Sequence, residues 1–352
     1  MNKKIFSLFL GFALILSFLN TAFAEDTPTL GYKWSTSNIV FQNNGTNNFY
    51  KSIWTTGASE WTNETDVSLS SGTNSNFTAG NKSVTGVTWD GVMEPVYNSN
   101  MTFKSAAVWV NTYFTATNKY VETENAIQGL ATHELGHALG LAHAPVGTFS
   151  VMVPATFTSD GKLARYQYFP GLGDANSINS IYSSGLSLSP EQYKLNESDF
   201  VEGKELVNLH FSWSKWYIDL EHLADDSDLV VLATVESRDG TVITGNNYFD
   251  YKQKSTVKIQ EIFKGDSSLI DKNISLYQMG GEDKDVVVKY HDATPLDEND
   301  TVILYLKKTE DNYYIPINEN VSIFKLNSYG EFVNLQSKTI YDKITLITDS
   351  AL

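Results

Sequence analysis

The 352-residue sequence contains no cysteine. That excludes disulfide bonds, and it excludes a lipid anchor attached through a lipobox cysteine. A secreted chain without disulfides fits a bacterial exporter better than an animal secretory pathway. Positive charge is also short: 25 Lys and Arg face 41 Asp and Glu, for a net charge of −16. This argues against nucleic acid or an anionic membrane surface as a partner. Histidine is scarce, at six residues. After residue 24 no apolar run is long enough to span a bilayer. What is present is 41% hydrophobic and 13% aromatic residues, enough for substantial cores in a chain long enough for two domains.

The first 24 residues read as a signal peptide. Lys3 and Lys4 give a positive start, Ile5 to Leu19 is apolar, and Ala22-Phe23-Ala24 is a small-x-small cleavage site. The mature protein is expected to be extracellular, soluble and monomeric, with cleavage after Ala24. Few residues separate Ala24 from the strand-like Tyr32-Lys33-Trp34, so no propeptide of useful size is expected.

Three of the six histidines fall in one stretch, Thr132–His143, reading THELGHALGLAH. His133, Glu134, His137, Gly140 and His143 fill every fixed position of H-E-x-x-H-x-x-G-x-x-H. His133 and His137 stand four residues apart, so a helix projects both from one face toward one ion. Glu134 points beside that pair, within reach of a metal-bound water. Gly140 allows a positive-φ exit from the helix, which brings His143 round as a third ligand. Three imidazoles with one open position describe a catalytic rather than a structural zinc site. Chance would place this pattern at on the order of one in ten million positions.

The motif is that of the metzincin metalloproteases, and the chain resembles their matrixin family. That clan carries a Met-containing turn beneath the metal, and Ser150-Val151-Met152-Val153-Pro154 follows at a suitable distance. Where astacin- and serralysin-like relatives have a Tyr two residues after the Met, this chain has Pro154. Where matrixins usually have Ser or Thr after the third His, it has Ala144-Pro145. The resemblance implies an α+β fold: a mixed, twisted sheet with about three helices over residues 25–186. It implies a secreted zinc endopeptidase in which a zinc-bound water attacks the peptide bond and Glu134 is the general base. His133, His137 and His143 would hold the metal and Met152 would floor it. It further implies that an edge strand before the zinc helix binds an extended peptide or protein substrate; Ala106, Ala107, Val108 and Trp109 are the stretch expected there. The Ala155–Tyr168 loop would surround a specificity pocket, with Phe157, Tyr166 and Tyr168 as candidate lining. Structural calcium is a further cofactor of such relatives. The alternative reading is a non-catalytic, zinc-containing extracellular binding protein.

Helical spacing of Phe49, Ile53, Trp54, Ala58 and Trp61 predicts a helix with an aromatic core face. Glu122–Leu141 reads as the zinc helix, and Asp174 as the cap of a short one. Strands are expected at Ile39–Phe41, Val67–Leu69, Val84–Trp89 and Met101–Asn111. Gly185–Pro190 reads as a linker. Residues 187–352 are expected to form a separate, mostly antiparallel β domain, a small barrel or sandwich. Its strands are expected at Leu229–Val235, Ser255–Phe263, Ile274–Gln278, Val286–Tyr290, Val302–Leu306, Tyr313–Ile317 and Ser322–Leu326. This half is the acidic one, with 29 acidic and 16 basic residues against 12 and 7 in residues 25–186. Solubility accounts for the excess, with calcium binding the rival account. His210, His222 and His291 are too scattered to suggest a second metal and read as surface residues.

Overall fold

The computed structural model describes residues 25–74, 76–115, 123–183 and 199–348. The expected signal peptide and linker lie outside these residues. The chain is α+β, with two sheets and few helices.

The first sheet begins with β1 (Asn38–Asn44), β2 (Ser68–Ser71), β3 (Phe77–Lys82), β4 (Trp89–Asn98) and β5 (Thr102–Asn111). Two helices pack on one face of it: α1 (Asn48–Glu64) and α2 (Thr123–Leu139). Asn47 caps α1, its side chain accepting from Tyr50 N–H at 3.0 Å. Tyr50, Ile53, Trp54, Ala58 and Trp61 are buried at the predicted helical spacing. The Trp61 indole donates to the Thr132 carbonyl of α2 at 2.9 Å, which locks the two helices together. Their shared core also holds Phe41, Phe77, Met93, Val108 and Leu135.

The strand expected at Val84–Trp89 starts at Trp89 instead. Gly91, Glu94 and Pro95 interrupt the β pattern there and disguise the strand. The expected edge strand is also corrected. Ala106–Trp109 of β5 pair with Phe77–Gly80 of β3 on one side and with Val92–Pro95 of β4 on the other. Ala106, Ala107, Val108 and Trp109 therefore lie inside the sheet, with no free backbone edge. Period-two patterning identifies a strand but says nothing about its neighbours.

The sheet does not stop at residue 186. Beyond the short strand β6 (Ala155–Thr158) and the helix α3 (Leu172–Tyr182) comes β7 (Glu205–Trp216), which lies antiparallel along β4. The register pairs Val96 with Val207, Met93 with His210, Val92 with Phe211 and Gly91 with Ser212. On its other side β7 takes β6 in parallel.

The second half adds β8 (Leu229–Ile243), β9 (Tyr251–Lys264), β10 (Asn273–Met279), β11 (Gly281–Glu282) and β12 (Val286–Tyr290). It ends in β13 (Thr301–Lys308), β14 (Tyr314–Pro316), β15 (Ile323–Leu326), β16 (Phe332–Asn334) and β17 (Ile340–Tyr341). Strands β12 and β11 extend the first sheet beyond β7. In the second sheet β14 pairs with both β10 and β13, closing β8, β9, β10, β14 and β13 into a ring; of the antiparallel barrel or sandwich expected of this half this is a barrel, with β10 and β14 parallel. Its core holds Leu229, Val231, Val257, Leu276, Val302 and Leu304.

The expected boundary at 186/187 thus does not separate the sheets. Val92, Val96, Val153 and Ala155 from before it share one core with Val207, Leu209, Phe211, Trp213, Met279 and Val288 from after it.

Candidate metal centre

His133 and His137 lie one helical turn apart on α2, and both are fully buried. The carbonyl of Val151 lies 2.9 Å from His133 Nδ1, and that of Leu141 lies 2.7 Å from His137 Nδ1. A carbonyl only accepts, so each Nδ1 carries the proton and each Nε2 presents a bare lone pair. His133 Nε2 is buried with no hydrogen-bond partner. Gly140, at φ +110°, ends the helix where a Cβ would stand 2.4 Å from the Tyr32 carbonyl oxygen. The turn it permits carries His143 back, its Nε2 reaching 3.2 Å from His137 Nε2.

The ligand atoms of His133, His137 and His143 all lie within 4.8 Å of one another. Two nitrogens on one tetrahedral ion, each about 2.0–2.1 Å from it, stand roughly 3.3 Å apart. An orphaned buried lone pair and convergent neutral imidazoles fit a metal ion. Burial pushes all three imidazoles below the ordinary histidine range, His137 to about 3, so they remain neutral ligands near neutral pH.

Met152 is buried beneath α2. A Cβ on Gly136 would stand 2.4 Å from its Sδ, so only glycine at that helical position admits the sulfur. Asp174 anchors the same turn. Its buried carboxylate accepts from Ser150 Oγ at 2.6 Å and Val151 N–H at 2.9 Å, and from Gly171 N–H at 2.8 Å. Asp174 was expected to cap its helix from the first position. It sits inside the first turn of α3 and joins that turn to the one carrying Met152.

Glu134 is fully buried beside the triad. Burial, with Asp90 adding to it, raises its proton affinity well above an ordinary carboxylate, and Arg165 opposes the rise. Arg165 is itself buried and donates to the Val153 carbonyl through Nε and Nη2 at 3.1 and 2.8 Å. It also reaches Ser212 Oγ of β7 at 2.7 Å.

Two further histidines belong to this neighbourhood, against the expectation of surface positions. His210 on β7 is 1% exposed, its ring centroid 5.3 Å from those of His137 and His291. Tyr97 OH lies 3.2 Å from its Nε2. His291 follows β12 and faces His143 at 6.4 Å between ring centroids. His222 is exposed and pairs with Asp219 at 2.7 Å, as expected of a surface residue. The signal for β7 was available: Val207, Leu209, Phe211 and Trp213 alternate with Asn208, His210 and Ser212.

Phe157 and Tyr166 line a common cavity of about 1050 Å³ with Lys215 and Tyr217, and Tyr168 is not part of it. Trp109 turns away from the triad: its indole donates to Glu94 at 2.8 Å and Lys82 lies over its ring. Among the described residues the two clusters of potential metal ligands both contain His143, and neither is the all-oxygen set that calcium takes.

No protein-family model matches the chain, and no curated protein matches it. Among solved structures, that of myroilysin aligns at 13% identity over 45% of this chain and 99% of that chain, with a TM-score of 0.30.

Proposed function

We propose that the chain is an exported zinc-dependent endopeptidase of metzincin type. The observation that carries the reading is the convergence of His133, His137 and His143 with a buried Glu134 beside them. Three neutral histidines suit zinc, which when bound supplies Lewis acidity that polarises a carbonyl and acidifies water. The other roles belong to the chain. Glu134 takes the proton of the attacking water on its carboxylate. It then passes that proton to the leaving amine. Val151 and Leu141 fix the two helical imidazoles, and Met152 floors them. The signal-like residues 1–24 support export, and the acidic balance supports a protein or peptide substrate rather than nucleic acid.

One observation favours the rival reading of a zinc-containing binding protein. Strand β7 covers the edge of β4, where an extended substrate would otherwise add. The two readings separate on casein hydrolysis by the wild type and Glu134→Gln, with zinc measured on both. The endopeptidase reading expects zinc in both and cleavage by the wild type alone, abolished by a chelator. The rival expects zinc in both and cleavage by neither. Cleavage that survives zinc removal would refute the metal mechanism.

A further inference from the structure

The roles assigned so far leave His291 and Asp292 unused, although the fold delivers both to the triad. One ligand atom each from His143, His291 and Asp292 lies within 4.8 Å of the others, the same limit that the triad meets. His291 Nε2 stands 3.0 Å from Asp292 Oδ2, and the two side chains are only 14% and 16% exposed. The Asp292 carboxylate is oriented by neighbours, accepting from Tyr290 OH at 3.2 Å and Gln336 Nε2 at 3.1 Å. Such outer hydrogen bonds aim a metal ligand. A cavity of about 300 Å³ opens on His143 and Asp292, and another of about 640 Å³ on His291 and Asp292. An ion therefore has a way in.

We propose that His143, His291 and Asp292 form a second metal seat for a divalent transition ion, adjoining the triad and sharing His143 with it. Two imidazoles and one carboxylate are a ligand set that zinc takes. The carboxylate gives this seat something the triad lacks, a negative charge to set against a buried dication. One neutral imidazole ligates one ion at a time, so the two seats hold a single ion between them. An ion in the second seat ties the end of β12 to the turn after α2 and removes His143 from the triad. The metal then acts as a clasp between the sheet's original strands and those added from the second half. The inference rests on the metal-binding reading of the triad but not on its hydrolytic reading.

The test is metal counting on the full chain, dialysed against Zn²⁺ or Co²⁺ alone. Wild type is expected to retain one equivalent. The variant His133→Ala/His137→Ala is expected to retain one equivalent as well, held more weakly, and to lose it when His291→Ala is added. A folded His133→Ala/His137→Ala chain that binds no metal overturns the second seat. Should that variant not fold by circular dichroism, the single variant His137→Ala, which leaves the triad only two ligands, is compared with and without Asp292→Asn. Adding Asp292→Asn is expected to change the visible spectrum of the cobalt form and to lower metal affinity by about 10- to 100-fold. An unchanged spectrum and affinity overturn the proposal. Failure of the hydrolytic reading looks different: a zinc-loaded chain with no Glu134-dependent cleavage, which leaves these metal counts as they are.

Discussion

Gly91 of β4 lies directly against Glu134. A Cβ there would stand 2.3 Å from Glu134 Oε1 and 2.7 Å from Leu130 Cδ1. The strand thus holds the carboxylate in place by lacking a side chain. Gly91→Ala is expected to push Glu134 aside while leaving its three histidine neighbours in place. A displacement on the order of 1 Å costs about 100-fold in turnover. The check is kcat beside zinc content: normal zinc with kcat reduced by about that factor is the expected pair. Unchanged kcat would show that Gly91 does not position Glu134. At this scale the sequence was most legible where the chemistry is local. His133, Glu134 and His137 follow from helical spacing, and Gly140 from a turn that requires positive φ. His210 and His291 were not legible, because their relation to the triad is made by strands paired across a long stretch of chain, and Arg165 because it sits in an irregular loop with no periodic signal.

Strand β7 is the element that changes the reading of the site. Its apolar side chains Val207, Leu209, Phe211 and Trp213 enter the core shared by the two halves. On its other face Ser212 meets Arg165 and the His210 ring lies tilted beside that of His137. Both faces are therefore buried, so the alternation marks the strand without showing that its polar side is interior too. Pro95 on β4 fits this arrangement, since proline within a sheet belongs on edge strands. On this account β4 is the edge of the first-half sheet and β7 is an addition to it. If a peptide substrate uses that edge, β7 must first leave it. The absence of native cysteine makes the point testable with an introduced disulfide. Val96 and Val207 are direct cross-strand partners, a spacing a disulfide can bridge. Val96→Cys/Val207→Cys is expected to lose cleavage when oxidised and to recover it in a non-chelating reductant. Equal rates in the two states would mean that substrate reaches the site without displacing β7.

For the whole molecule, the expectation of two separable domains meets a shared interior. The seven strands read from periodicity in residues 187–352 are present, and Val286–Tyr290 is matched end to end, but the strand expected at Leu229–Val235 runs on to Ile243 and that expected at Ser255–Phe263 begins at Tyr251. Which sheet each strand joins was not readable, because alternation records burial and not the partner that provides it. β12 looked like part of the acidic half, yet it lies beside β7 in the first sheet. The consequence is energetic. Removing residues 199–352 would uncover Trp89, Val92, Val96, Val153 and Ala155, each at most 4% exposed in the intact chain. At about 1.5–3 kcal/mol for each of the four larger side chains, that loss is roughly 6–12 kcal/mol. A domain's entire stability is only about 5–15 kcal/mol. The chain ending at residue 198 is therefore expected to bind a hydrophobic dye, to aggregate and to lack a cooperative melt, even though all of its zinc-binding motif remains. Dye fluorescence and a thermal melt beside the full chain measure this. A soluble monomer melting at the full-length temperature would show instead that the first half carries its own core, and that β7 and β12 are a detachable cover over a site already complete.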